Sequence, residues 1–303
     1  MKTNLFLICF LAVACQSSTE DVLPKAVLVS NKVAPVGNFR DYWYKGQGEV
    51  NSYALEQERY GELRTGDAVL VFVTEELSRT KQVKLDKPEA ASTDRVEVLK
   101  CNAMRKFATG IYDYSLMNSV FTPVNIAADP HSVKLTCSVQ DWCGQVFHQF
   151  NWRGNAYDAK SFSYFEAEAD AVYNVNTHLL EDELWNRIRI DPTTIPTRKL
   201  SILPGMSYLS MKHKPIKPID AGIINSQIDE VISQIEVVYP TIQRSLRIQY
   251  ETKFPHKIVG WEEQNGKDPI TKATLKTSVM TTYWNQSKTT DKPIRAKLNL
   301  VWE

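Results

Sequence analysis

Three runs in the last third of this chain alternate apolar and polar residues at a period of two. That pattern commits them to an antiparallel sheet with one buried and one wet face. In the first run, Leu246, Ile248 and Tyr250 alternate with Arg247, Gln249 and Glu251. Ala273, Leu275, Thr277, Val279, Thr281 and Tyr283 form the second, and Ile294, Ala296, Leu298, Leu300 and Trp302 the third. Asn265-Gly266 and Thr289-Thr290-Asp291 read as the turns that punctuate them. The third run predicts a chain that ends on a strand tied into the sheet.

Earlier segments extend the theme. A strand is predicted over Glu49 to Tyr60, a turn at Arg64-Thr65-Gly66-Asp67, and an apolar strand over Ala68 to Val73. Asp86 to Asp94 carries Pro88 and charge and reads as a loop. Strand pairs follow over Val96 to Tyr114, Val133 to Asn151 and Ser161 to Tyr173, with a turn at Gly154-Asn155. Residues 22–40, with Pro24, Pro35 and Gly37, read as a linker or a first strand. One helix stands out. Leu180, Leu184, Trp185 and Ile188 fall at helical spacing, Thr177 is its expected cap, Arg187 and Arg189 suit the negative end of its dipole, and Pro192 lies beyond. Ile224 to Tyr239 fits a helix at its start and a strand at its end. The expected fold is mainly β: a curved antiparallel sheet or half-barrel with one short packed helix, in a single domain over residues 41–303.

The N-terminus predicts a location. Lys2 precedes an uncharged apolar run from Leu5 to Ala14, and Cys15 follows it. The run is too short to span a bilayer and has the length of a secretory h-region. Small residues before a cysteine are the pattern at which a bacterial lipoprotein signal is cut, the thiol then carrying the lipid. Residues 1–14 are therefore the expected signal peptide, Cys15 the lipidation site, and residues 15–40 the anchor and tether. Gln16, in place of an aspartate, leans towards the outer membrane. The expected location is the cell envelope, with the membrane as a partner through Cys15 and stable anchoring by more than one acyl chain.

Net charge over 303 residues is +1, and loss of Lys2 brings it to about zero. A nucleic-acid binder would show a basic excess. Of five cysteines, Cys9 falls in the signal and Cys15 takes the lipid. Cys101, Cys137 and Cys143 remain, as one disulfide plus a thiol or as three structural thiols.

Each cluster of reactive residues has a plainer structural reading. Cys137, Cys143 and His148 have neither the spacing nor the fourth ligand of a zinc site, and Cys143 and His148 point to opposite faces of a strand. Trp142-Cys143-Gly144 beside Phe147 reads as a tight place in a core. Trp261-Glu262-Glu263 reads as a solvated strand end. Met211 to Pro218 is basic and proline-rich and reads as a solvated loop, with anionic headgroups as its alternative contact. Serine-hydrolase elbow, Walker loop, zincin motif and dinucleotide fingerprint are all missing. No catalytic residue, metal or cofactor is assigned.

Several segments resemble an uncharacterised family of exported Bacteroidetes lipoproteins. They are Asp41-Tyr42-Trp43-Tyr44 with Gly46 and Glu49, Arg59-Tyr60-Gly61-Glu62, Val71-Phe72-Val73-Thr74-Glu75 with Lys81-Gln82-Val83, Ser119-Val120-Phe121-Thr122-Pro123, Asp141-Trp142-Cys143-Gly144, and Phe254-Pro255-His256-Lys257 leading to Gly260-Trp261-Glu262-Glu263. Members of that family often carry the label "septum formation inhibitor Maf". Maf proteins are cytoplasmic nucleotide pyrophosphatases with a Ser-x-Ser-Pro-Arg-Arg motif, which this chain lacks, so that activity is disfavoured. The resemblance implies an envelope lipoprotein with no assigned active site. The functional expectation is a non-enzymatic, lipid-anchored protein that binds an envelope partner or an apolar ligand. An envelope hydrolase with dispersed Asp, Glu and His residues is the alternative.

Overall fold

The computed structural model describes residues 37–177 and 179–300. The expected signal peptide, Cys15, most of the tether and Trp302 lie outside the described residues. The first element is a helix, α1 (Gly37–Trp43). Eight strands follow in meander order: β1 (Gly48–Arg59), β2 (Glu62–Ser78), β3 (Arg95–Thr109), β4 (Tyr112–Pro123), β5 (Lys134–Gln140), β6 (Gln145–Trp152), β7 (Tyr157–Ser163) and β8 (Ala171–Val175). Next come the two-residue strand β9 (Leu179–Leu180), helix α2 (Leu184–Ile190), β10 (Lys199–Leu203) and helix α3 (Met206–Met211). The last strands are β11 (Ile219–Gln227), β12 (Ile232–Tyr239), β13 (Arg244–Glu251), β14 (Ile258–Asn265) and β15 (Thr271–Thr281), followed by a one-turn helix, α4 (Ile294–Lys297).

The strands form one 15-stranded sheet in the order β8 through β1, then β15 down to β9. Every pairing is antiparallel except β9 with β10. The first strand thus sits mid-sheet, and the chain winds out to one edge, crosses to the other, and winds back. The sheet curls around the helices: α2 packs on β3 and β4 from one half and on β14 from the other. The edges β8 and β9 are left as a seam with no ladder between them. This is a mainly β, curved, barrel-like sheet.

Period-two patterning makes the inner face. Leu135, Cys137 and Val139 on β5, Val146, His148 and Phe150 on β6, and Leu246, Ile248 and Tyr250 on β13 are all buried. Each large apolar side chain placed there stabilises by roughly 1.5–3 kcal/mol. They join the helices in one core that includes Phe39 and Trp43 of α1 and Met206 and Leu209 of α3. The one expected packed helix therefore has two companions. The folded domain also starts before residue 41, and residues 37–40 are helix rather than tether or strand.

Other expectations change for local reasons. Arg64 to Asp67 is not a turn; the turn is at Tyr60-Gly61, and β2 runs through Gly66. Gly66 is required there because a Cβ would stand 2.2 Å from the Lys106 carbonyl oxygen of β3. Ile224 to Tyr239 is two strands, turned by the Asp229 carboxylate, which accepts from the amides of Val231 and Ile232. Thr177 caps nothing: α2 begins at Leu184, and the Thr177 hydroxyl donates to the Leu179 carbonyl. The expected final strand is a helical turn at 294–297, because β1 and β15 pair with each other and with β2 and β14, so neither offers it an edge.

Candidate functional site: a cavity at the seam

The segment from Glu181 to Arg189 fills the interior of the sheet although five of its nine side chains are charged. All five are buried. The Glu183 carboxylate accepts from Arg187 one turn on, at 3.0 Å, and from the Ser132 amide at 3.1 Å. Arg189 forks onto Glu49 of β1, with one limb at 2.7 Å. Burial alone would raise Glu49, but Arg189, with Tyr42 and Asn51 donating, outweighs it and holds the carboxyl at about 2.

Glu181 receives Arg244 of β13 at 2.7 Å and the Tyr239 hydroxyl at 2.7 Å. Asp182 accepts from the Met206 amide at 2.8 Å and the Asn118 side chain at 2.7 Å. Glu263 pairs with Arg105 at 2.6 Å and lies 3.7 Å from Arg244. These groups line a cavity of about 30 Å³, room for about two waters. Desolvation, with Glu181 beside it, pushes Asp182 up to about 7. Glu263 is the "solvated strand end" of the sequence reading, and it is buried instead: on β14 it faces inward while Glu262 faces out to Arg247 and Lys272.

A larger cavity, about 400 Å³, opens at the seam. Its walls are the inner face of β6, β7 and β8, the loop joining β7 to β8, helix α3, and the strap of residues 212–216 that follows it. Phe165, Tyr173, Leu209, Pro215 and Ile216 supply apolar surface. His148, Ser210, Glu168 and His213 supply polar groups. His213 Nδ1 lies 2.7 Å from Glu168 and its ring meets Phe165 edge-on.

His148 and Ser210 invite a comparison with a nucleophile and its base. The single Ser210 hydroxyl proton has the Met206 carbonyl as an acceptor at 2.8 Å. With that proton directed at the Met206 carbonyl, His148 Nε2, 3.0 Å from Ser210 Oγ, is the donor; in the other tautomer it accepts. Burial lowers His148 to about 4, so the ring is neutral at pH 7. Its Nδ1 is buried and has no hydrogen-bond partner among the described residues. A base would accept from the serine and be oriented through its other nitrogen; here that other nitrogen has no orienting partner among the described residues.

The cysteines are free thiols: Cys101 and Cys137 are buried, and Cys143 is exposed. Burial pushes the thiols of Cys101 and Cys137 well up, which makes them inert. Cys137 lies directly across the ladder from His148, a neighbour that linear spacing hides. Trp142 and Cys143 sit at the β5–β6 turn, with the Trp142 ring in solvent, so the expected core crevice is a hairpin tip. Of the basic stretch, Met211 is core, Lys212 bridges Glu58 and Asp268, and His213 to Ile216 line the cavity. Sequence reasoning passed over Glu168, Ser210 and Tyr173. Nothing in their spacing marks them, since they come from three elements that only the curled sheet brings together. Among the described residues, no helix is long and apolar enough to cross a membrane.

No family model and no curated protein matches the chain. Among solved structures it is similar to a "Beta-barrel-like Protein of Domain of Unknown Function DUF1849 from Brucella abortus", at 9% identity and a TM-score of 0.48, over 77% of this chain and 98% of that one.

Proposed function

We propose that this protein is a lipid-anchored envelope protein, tethered through Cys15, that holds an amphiphile with an apolar tail in the seam cavity. The observation that carries the reading is the cavity itself. At about 400 Å³ it falls in the range of small-molecule sites, and it is apolar with a few convergent polar groups. The seam provides an entry that a closed ladder would deny. The His148–Ser210 geometry supports binding over hydrolysis, because the Met206 carbonyl competes for the hydroxyl proton and no described residue orients the imidazole through Nδ1.

Ligand binding can be measured on the chain from Gln16 onward, which keeps every described element. Titration with dansyl-undecanoic acid should saturate at one probe per chain. Ile216→Asp, which sets an unpaired charge on the apolar wall, should weaken binding by about tenfold or more. A probe that fails to bind, or binds the variant equally well, removes the cavity reading. Anchoring is separate: Cys15→Ala in the full chain should abolish labelling by a radioactive fatty acid and release the protein from the membrane fraction.

A further inference from the structure

In an antiparallel meander, alternate turns share an end. The turns β1–β2, β3–β4, β5–β6 and β7–β8 therefore all lie at one end of the sheet. So do α3 and its strap, since Lys212 pairs with Glu58 beside the first of these turns and His213 with Glu168 in the last. Phe165, Glu168 and His213 of the cavity wall are thus at the same end as the four turns.

Each of the four tips holds a large apolar or aromatic side chain in solvent. Tyr60 is 58% exposed, Ile111 83%, Trp142 69% and Tyr164 67%. Turn tips ordinarily carry Gly, Asn, Asp, Ser or Pro, so four in succession of this kind do not follow from turn chemistry. Nor do Ile111 and Trp142 follow from folding, because side chains this exposed add little to the core; Tyr60 is also held by Arg59 and the Tyr114 hydroxyl. The tips connect physically to the cavity. A Cβ on Gly144 would stand 2.5 Å from the Tyr164 ring, so the β5–β6 and β7–β8 tips are packed together. Tyr164 meets Phe165 at 5.6 Å, and Phe165 meets His213 at 4.6 Å, ring to ring. A row of aromatic rings runs from the rim to the cavity wall.

We propose that this end of the sheet docks on a lipid bilayer, with Tyr60, Ile111, Trp142 and Tyr164 entering the interfacial layer and the seam cavity opening against it. Three features favour a bilayer over a protein partner. The side chains sit on four hairpins, of which the β5–β6 and β7–β8 tips touch. A fluid interface accepts each independently, whereas a protein would need a matched pocket for every one. Tyrosine and tryptophan are the residues that settle at the headgroup level. The charges around the tips are mostly acidic, with Glu62, Asp113, Asp141, Glu166, Glu168 and Asp170 against Arg64 and Lys214, so the attraction rests on apolar side chains rather than on anionic headgroups. This inference builds on the amphiphile reading of the cavity, because a ligand with an apolar tail leaves a protein most readily into a membrane.

The test uses the chain from Gln16 onward, which has no lipidated cysteine, so that only the rim can hold it. Vesicles of phosphatidylethanolamine and phosphatidylglycerol should carry it upward on flotation, and brominated acyl chains should quench its tryptophan fluorescence. The double variant Ile111→Ser, Trp142→Ala removes two side chains that are 83% and 69% exposed and do not line the cavity. It should partition about tenfold less through lost apolar burial and still bind dansyl-undecanoic acid as the parent does. Ile216→Asp should show the reverse: parent-like flotation and weakened probe binding. Flotation that is absent in the parent, or unchanged in the double variant, overturns the docking proposal. Probe binding lost from a parent that still floats overturns the cavity reading instead.

Discussion

At one end of the sheet interior, Glu49 meets Arg189 one to one; at the other, Glu181, Asp182 and Glu263 share Arg105 and Arg244. Both clusters are buried, and burial opposes every charge in them. The matched end meets this by geometry. The Glu49 oxygens receive both limbs of Arg189, the Tyr42 hydroxyl and the Asn51 amide, and the acid stays ionised. The unmatched end has one carboxylate too many. Asp182, whose hydrogen-bond donors are an amide and a carboxamide, is the one driven towards its protonated form. Arginine supply, rather than depth of burial, separates the two.

The largest effect should come from unmatching the matched end. Arg189→Met leaves Glu49 buried with no counter-charge, which typically costs about 3–5 kcal/mol; urea unfolding reads it directly. A loss below about 1 kcal/mol would show that Glu49 simply takes up a proton. Replacing both partners by Met should recover much of the loss, because a buried pair is worth little against well-packed apolar groups.

The unmatched end should reveal itself through pH. Asp182 is raised from 3.8 to about 7 in the fold, so the native state holds a proton that the unfolded chain has released. Its contribution is complete below about pH 4 and is lost as pH rises to 7, a change on the order of 4 kcal/mol at most. Glu49 has the opposite sign. Lowered from 4.5 to about 2, its contribution is present above about pH 4.5 and is lost as pH falls towards 2. Stability profiles of Asp182→Asn and Glu49→Gln should each lose one of these opposed slopes and keep the other. Identical profiles would remove the distinction between the two ends.

A smaller effect is expected at Arg244→Lys, about 1–2 kcal/mol, since the charge stays but the fork onto Glu181 is lost. The smallest belongs to Trp142→Ala at the rim, within about 0.5 kcal/mol in thermal unfolding. A cost above that would mean the ring supports the fold and is not held free for an outside partner.

The legible part of this protein was its sheet. The strands around Leu246 and Ala273 announced themselves, because a pleated strand with one buried face must alternate and turn residues must interrupt it. The α2 segment was half legible. Leu184, Trp185 and Ile188 showed an apolar stripe, but Arg187 and Arg189 were read as exposed helix-end charges. Their burial depends on Glu183, Glu49 and the curl of the sheet around them. The seam cavity was not legible at all, because His148, Glu168, Tyr173 and Ser210 meet across four elements and carry no mutual spacing.

By itself, then, the sequence determined a mainly β chain of alternating strands, through a period local to each strand, and an N-terminal pattern around Cys15 that a reader can recognise without any fold. The tertiary structure decided which way Glu263 faced, which carboxylate went without an arginine, and where the sheet left its seam. Those outcomes depend on register and closure. Register is set by which strand faces which, and closure by how many strands the curl must accommodate around its buried helices; neither is a property of any single segment.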